Sequence, residues 1–122
     1  MDEVVITLPL PPKSLHPNAR PHHFKKARDT KSAREIAAMV ARQHRSQDWP
    51  WGGASFQATF FLPRKNDDDN LAAWLKAYRD GIASAGVVVN DSRFVVLPVV
   101  QHTGNKNTGG RYRVVITLMR TG

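Results

Sequence analysis

The chain has 122 residues, 41% of them hydrophobic and 23% charged, with a formal net charge of +8 and no cysteine. That length suits one domain around a single core, and the composition is that of a globular chain rather than a disordered one. Absence of cysteine excludes disulfides, thiolate zinc sites and cysteine nucleophiles, and the longest apolar run, Phe94 to Val100, is too short to span a bilayer and contains Pro98.

The opening MDEVVITLP carries acids where a signal peptide has basic residues, so a cytoplasmic product that does not engage membranes is expected. Val4 to Leu8 is a β-branched run closed by Pro9, Pro11 and Pro12, which cannot donate to a sheet ladder, and predicts a first strand. Residues 11 to 29 show no apolar period and read as a long basic loop in which His22 and His23 serve as extra donors. Ser32-Ala-Arg-Glu35 has the form of a capping box, and Ala33, Ile36, Ala37, Val40 and Ala41 recur at helical spacing, predicting a helix over about 31 to 46. From Lys13 to Arg45 nine basic residues face only Asp29 and Glu35, so most of the positive excess sits in this segment. Such a cluster is either a solvated helix face or a site for a polyanion whose counterions it displaces.

QDWPWGG, residues 47 to 53, is a turn-rich connection in which Trp49 and Trp51 either lid the core or stack on an unpaired base. From Ala54 the pattern switches to period two: Ala54, Phe56, Ala58, Phe60 and Leu62 on one side, Ser55, Gln57 and Thr59 on the other. Past Asn70 the apolar positions Leu71, Trp74, Leu75, Tyr78, Ile82 and Ala85 give one buried stripe of a second helix, with Gly86 as its stop. Phe94 to Gln101 and Arg111 to Met119 read as strands joined in a hairpin by a mobile Gly/Asn-rich loop. The expected fold is a single α+β domain over residues 1 to 122, a four-stranded mixed sheet in the order β-α-β-α-β-β with both helices packed on one face.

Between the second strand and the second helix stand Asp67, Asp68 and Asp69, three adjacent acids in a strongly basic chain. In an extended segment alternate side chains point the same way, so Asp67 and Asp69 can face one point while Asp68 faces away. One reading is that they only cap the helix and complement its dipole. Against it stands their number: one cap needs one side chain, and further carboxylates repel unless a cation joins them. Oxygen ligands at this density suit Mg²⁺ or Mn²⁺. An EF-hand fails, because counting from Asp67 the fifth, sixth and twelfth positions are Leu71, Ala72 and Tyr78. Lys76 lies about two turns, roughly 10 Å, beyond Asp69 on the same helical face, either a solvated lysine paired with Asp80 or a group that leans back toward substrate phosphate. Asp91 is an ordinary turn residue by its local sequence. If its turn folds back beside the helix start it becomes a third carboxylate.

The segment RKNDDDNLAAWLKAYRDGIASAGVVVNDSRF, residues 64 to 94, resembles the RusA family of Holliday-junction resolvases: a basic run, D-x-D-N-L, a helix with a lysine, A-G, and an aspartate just before a strand. The opening ITLPLPPKSLHPNAR is similar to the family's N-terminal strand and Pro/Asn-rich loop, so the resemblance covers nearly the whole chain. It implies a dimeric, Mg²⁺-dependent endodeoxyribonuclease, with Mn²⁺ as a possible substitute, that resolves four-way DNA junctions symmetrically in recombination and repair and is often carried by phages. On this resemblance Asp67, Asp69 and Asp91 are the metal ligands and, with Lys76, the catalytic residues. Lys13, Arg20, Lys25, Lys26, Arg28, Lys31, Arg64 and Lys65 are the candidate DNA contacts. Two positions depart from the family pattern: Ala73 stands where the founding member has its lysine, and Asn90 where a further aspartate is often found. A non-catalytic nucleic-acid-binding module and a nuclease for flaps or other branched DNA are the alternatives.

Overall fold

Period-two patterning becomes strand where it is strongest. The computed structural model describes residues 2–122 and gives β1 (Glu3–Pro9) and β2 (Ala54–Leu62), the first closing at its proline and the second buried at every alternate residue. The remaining strands are β3 (Phe94–Val96), β4 (Val100–Thr103) and β5 (Arg113–Arg120). Helices α1 (His23–Arg42), α2 (Asp68–Trp74), α3 (Lys76–Ser84) and the short α4 (Gly104–Thr108) complete the domain. The fold is α+β, with a mixed sheet.

That sheet has five strands rather than four. Leu97-Pro98-Val99 splits the expected strand over 94 to 101 into β3 and β4, because Pro98 has no N–H for the ladder. Both pieces run parallel to β2, β3 along Ala54–Phe56 and β4 along Thr59–Leu62. The expected hairpin does not form: β5 lies on the other side of β2, antiparallel to it and to β1, giving the order β1-β5-β2-β3 with β4 beyond β3 on the same edge of β2. Its connection, expected as a loop, carries the short helix α4, ended by Gly109 at φ 65°.

The first helix also begins earlier than its sequence pattern. It starts at His23, and the N-cap is His22, whose Nδ1 accepts the Phe24 N–H at 3.2 Å. Ser32 and Glu35 therefore lie in the middle of a helix already running and cap nothing; a capping box is a local signal that an upstream helix start can pre-empt. The second expected helix is broken at Leu75 into α2 and α3.

Alternate residues of β1, β2 and β5, among them Ile6, Phe56, Phe60, Ile116 and Leu118, form the sheet's buried face, with the helices against it. The Trp74 ring stacks at 6.2 Å on Phe60, and its indole N–H donates to the Pro12 carbonyl. Trp51 is 1% exposed, so packing, not base stacking, is its role. Among the described residues no helix is long and apolar enough to cross a membrane.

Tyr78 ties α3 to the end of β1: its hydroxyl donates to the Pro9 carbonyl at 2.8 Å, and burial pushes its pKa up to about 12. A pKa raised above the unfolded value of 10.0 means that the proton is held more tightly in the folded state. The associated stability is complete below pH 10 and is lost as pH rises toward 12. Tyr78→Phe is expected to cost about 1 kcal/mol at neutral pH, from the orphaned Pro9 carbonyl, and to flatten the alkaline decline. Urea melts of both proteins at neutral and alkaline pH check this; parallel declines would remove Tyr78 as the source.

Candidate active site

β2 ends at Leu62, and the exposed Arg64 and Lys65 follow at once. The chain is then caught from two sides. His16 Nε2 lies 3.2 Å from Asn66 Oδ1, and Gln101 of β4 accepts the Asn66 N–H at 2.9 Å and donates to the Asn66 carbonyl at 2.8 Å. This clamp delivers Asp67 to the start of α2 in an extended conformation, φ −68° and ψ 131°. Asp67 is the N-cap: its Oδ1 accepts the N–H groups of Asp69 at 2.9 Å and Asn70 at 3.3 Å. Asp68 accepts from Gln101 Nε2, so the middle acid points at β4. All three carboxylates are exposed.

Asp67 and Asp69 are therefore neighbours at one end of the sheet. Asp91 is not with them. It opens a 3₁₀ turn immediately before β3, and Phe94 pairs with Ala54 at the start of β2, whereas Asp67 follows the end of β2. Nine residues of β2 span about 30 Å, and the seven of α2 with the nine of α3 rise about 24 Å, so both paths put the acids at opposite ends of the strand-helix-strand unit. Asp91 Oδ2 instead lies 4.0 Å from Arg79 Nε and shares a shallow hollow with Asp80 and Arg34. Among the described residues no three His, Asp or Glu side chains of the chain are grouped to hold one ion. The expected convergence of Asp67, Asp69 and Asp91 within one chain is corrected on this point: a parallel crossover necessarily returns to the starting end of the strand it left.

Lys76 likewise turns away from the pair. Its Nζ is 3.5 Å from Asp80 Oδ2, one turn farther along α3. The candidate DNA contacts Lys13, Arg20, Lys25, Lys26, Arg28, Lys31, Arg64 and Lys65 are all exposed. Lys25 is engaged at 2.9 Å by Asp29, which also accepts from the buried Ser14 hydroxyl at 2.7 Å. The Ser14 bond first, then Lys25, holds the Asp29 carboxyl below its usual value. Through Ser14 the 3₁₀ turn Lys13–Leu15 is fixed to α1, which places Lys13 beside the basic helix.

Sequence reasoning missed His16, Asn66 and Gln101, the residues that hold the acidic segment. None lies in a recognisable motif, and the contacts join positions 50 and 35 residues apart.

No family model matches the chain. It is similar to an uncharacterized protein of Xylella fastidiosa (strain Temecula1), with 38% identity over 106 residues, covering 79% of this chain. The chain spans 65% of that protein's length.

Proposed function

We propose that the chain is a metal-dependent endodeoxyribonuclease of the RusA type, acting in the cytoplasm on branched DNA, four-way junctions foremost, by phosphodiester hydrolysis. The observation that carries the reading is the Asp67/Asp69 pair, two exposed carboxylates held at one helix start by a clamped loop and preceded by Arg64 and Lys65. The donor set fits a hard divalent cation, since both N–H bonds to Asp67 fall on Oδ1 and Asp69 stands exposed beside it. When bound, Mg²⁺ or Mn²⁺ polarises the scissile phosphate and lowers the pKa of the attacking water. The protein's own part is positional. Asp67 and Asp69 orient the ion, Arg64 and Lys65 offset the repulsion between those acids and the DNA backbone, and Lys76 meets phosphate, its exposed ion pair with Asp80 being weak enough to exchange.

Asp91 joins this pair only from a second copy of the chain. A two-fold dimer that sets the β3 end of one protomer against the α2 start of the other builds two equivalent sites, the number that symmetric cleavage of a junction needs. The exposed apolar Val89 lies two residues before Asp91, and the exposed Val95, Val96 and Val100 continue from it along the β3–β4 edge, supplying surface for such an interface. Mixing Asp69→Asn with Asp91→Asn tests it. In the mixed dimer one site collects both lesions and the other none, so two inactive proteins are expected to regain Mg²⁺-dependent nicking of one strand of a labelled four-way junction. Silence of the mixture beside an active wild type excludes a shared site, and no Mg²⁺-dependent nicking by the wild type on junction, flap or duplex excludes the nuclease.

One observation favours a second reading, a non-catalytic nucleic-acid-binding module: Asp67 does cap α2, so part of the acidic cluster has a structural use without any metal.

A further inference from the structure

We infer that the start of α1 and the groove beside it form a track for single-stranded DNA, with Phe24 as the stacking platform for an unpaired base. This rests on the DNA-nuclease reading above and deepens it, naming an unpaired arm as part of the substrate.

Phe24 is 72% exposed, the most exposed of the large hydrophobic side chains among the described residues. Leaving such a ring in water forgoes about 1.5–3 kcal/mol of burial, yet its setting is ordered. The His22 cap fixes the backbone, and the rings of His22, His23 and Phe24 pack as a cluster with centroids 4.1 to 5.2 Å apart. A groove of about 690 Å³ starts at His23 and follows one face of α1 past Lys26, Thr30, Arg34 and Ala38 to Arg42. From His23 to Arg42 the helix rises about 28 Å. Lys26, Lys31, Arg34 and Arg42 line it against the single acid Glu35, which lies 4.0 Å from Lys31.

A cationic groove with aromatic rings at its mouth matches the two needs of an unpaired strand, phosphates along the backbone and a free base face at the end. Paired DNA offers the phosphates but keeps its base faces stacked, so it uses the groove and not the ring. An acidic peptide would also be drawn to the groove, but it offers the exposed ring cluster a flat π-surface only where it carries an aromatic side chain, whereas every unpaired nucleotide carries a base face.

The test is fluorescence anisotropy in EDTA, which prevents cleavage, with labelled oligo(dT) and a blunt duplex of equal length. Phe24→Ala is expected to weaken oligo(dT) binding about tenfold and duplex binding by less than about twofold, with Phe24→Tyr restoring the difference. Thermal melts coinciding with the wild type establish that the variant is folded. Equal losses on both DNAs, or no loss on either, overturn the platform while leaving the nuclease reading intact. Wild-type protein that binds duplex but not oligo(dT) also overturns the track alone. Binding of neither DNA at low salt overturns the track and leaves an acidic protein partner as the groove's occupant, while the nuclease reading stands or falls on the junction-nicking assay.

Discussion

Asp69→Asn and Asp67→Asn are each expected to reduce Mg²⁺-dependent cleavage of a four-way junction on the order of a thousandfold or more, with binding in EDTA unchanged or tighter. The amide keeps the shape of the carboxylate but removes the charge that holds a hard dication, and it also removes repulsion against DNA phosphate. Asp67 makes the experiment decisive between chemistry and capping, because its Oδ1 holds the N–H groups of Asp69 and Asn70. Asparagine caps about as well as aspartate, whereas alanine loses about 1 kcal/mol. Asp67→Asn should therefore melt with the wild type and be inactive, while Asp67→Ala should be both inactive and less stable. Activity that follows melting temperature across the two variants, surviving in Asp67→Asn, would assign Asp67 to the helix alone and favour the non-catalytic module.

Gly81→Ala is expected to destabilise the fold by about 3 kcal/mol, lowering the melting temperature by roughly 10 °C, although alanine is the better helix former by about 1 kcal/mol. A Cβ at position 81 would stand 2.3 Å from the Arg34 carbonyl oxygen and 3.0 Å from its carbonyl carbon and Cα. All three are backbone atoms of α1, so no rotamer change relieves the contact and the two helices must part. The approach exists because small residues face one another there, Ala33, Ala37 and Ala41 on α1 and Ala77 and Gly81 on α3, all buried. Separation would also shift the basic stripe of α1 relative to the acidic end of α2. A calorimetric melt checks it; a melting temperature at or above the wild type would mean that the helices cross more loosely than described.

Residues 54 to 62 and the stripe Leu71, Trp74, Tyr78 and Ile82 announced their elements because each follows a single period, which any partner with one apolar face will satisfy. The D-x-D-N element is legible as a helix start, but the expected alternation of an extended segment is not what brings its acids together: Asp68 and Asp69 already belong to α2, and Asp67 meets Asp69 by capping that first turn. The start of α1 was not legible, since His22 is an uncommon cap and the basic residues after it carry no apolar rhythm. The clamp of His16, Asn66 and Gln101 was not legible either, being made of polar residues that are unremarkable until the sheet brings them together.

The amino-acid sequence by itself determined the α+β class, the acidic pair at the head of α2 and the basic character of residues 13 to 45, all consequences of local period and charge. Tertiary structure alone decided strand order, the insertion of β5 between β1 and β2, and the placing of Asp91 a full strand length from Asp67. Which edge a strand joins depends on the burial and hydrogen bonding of the whole sheet, and no residue carries that choice in its own neighbourhood.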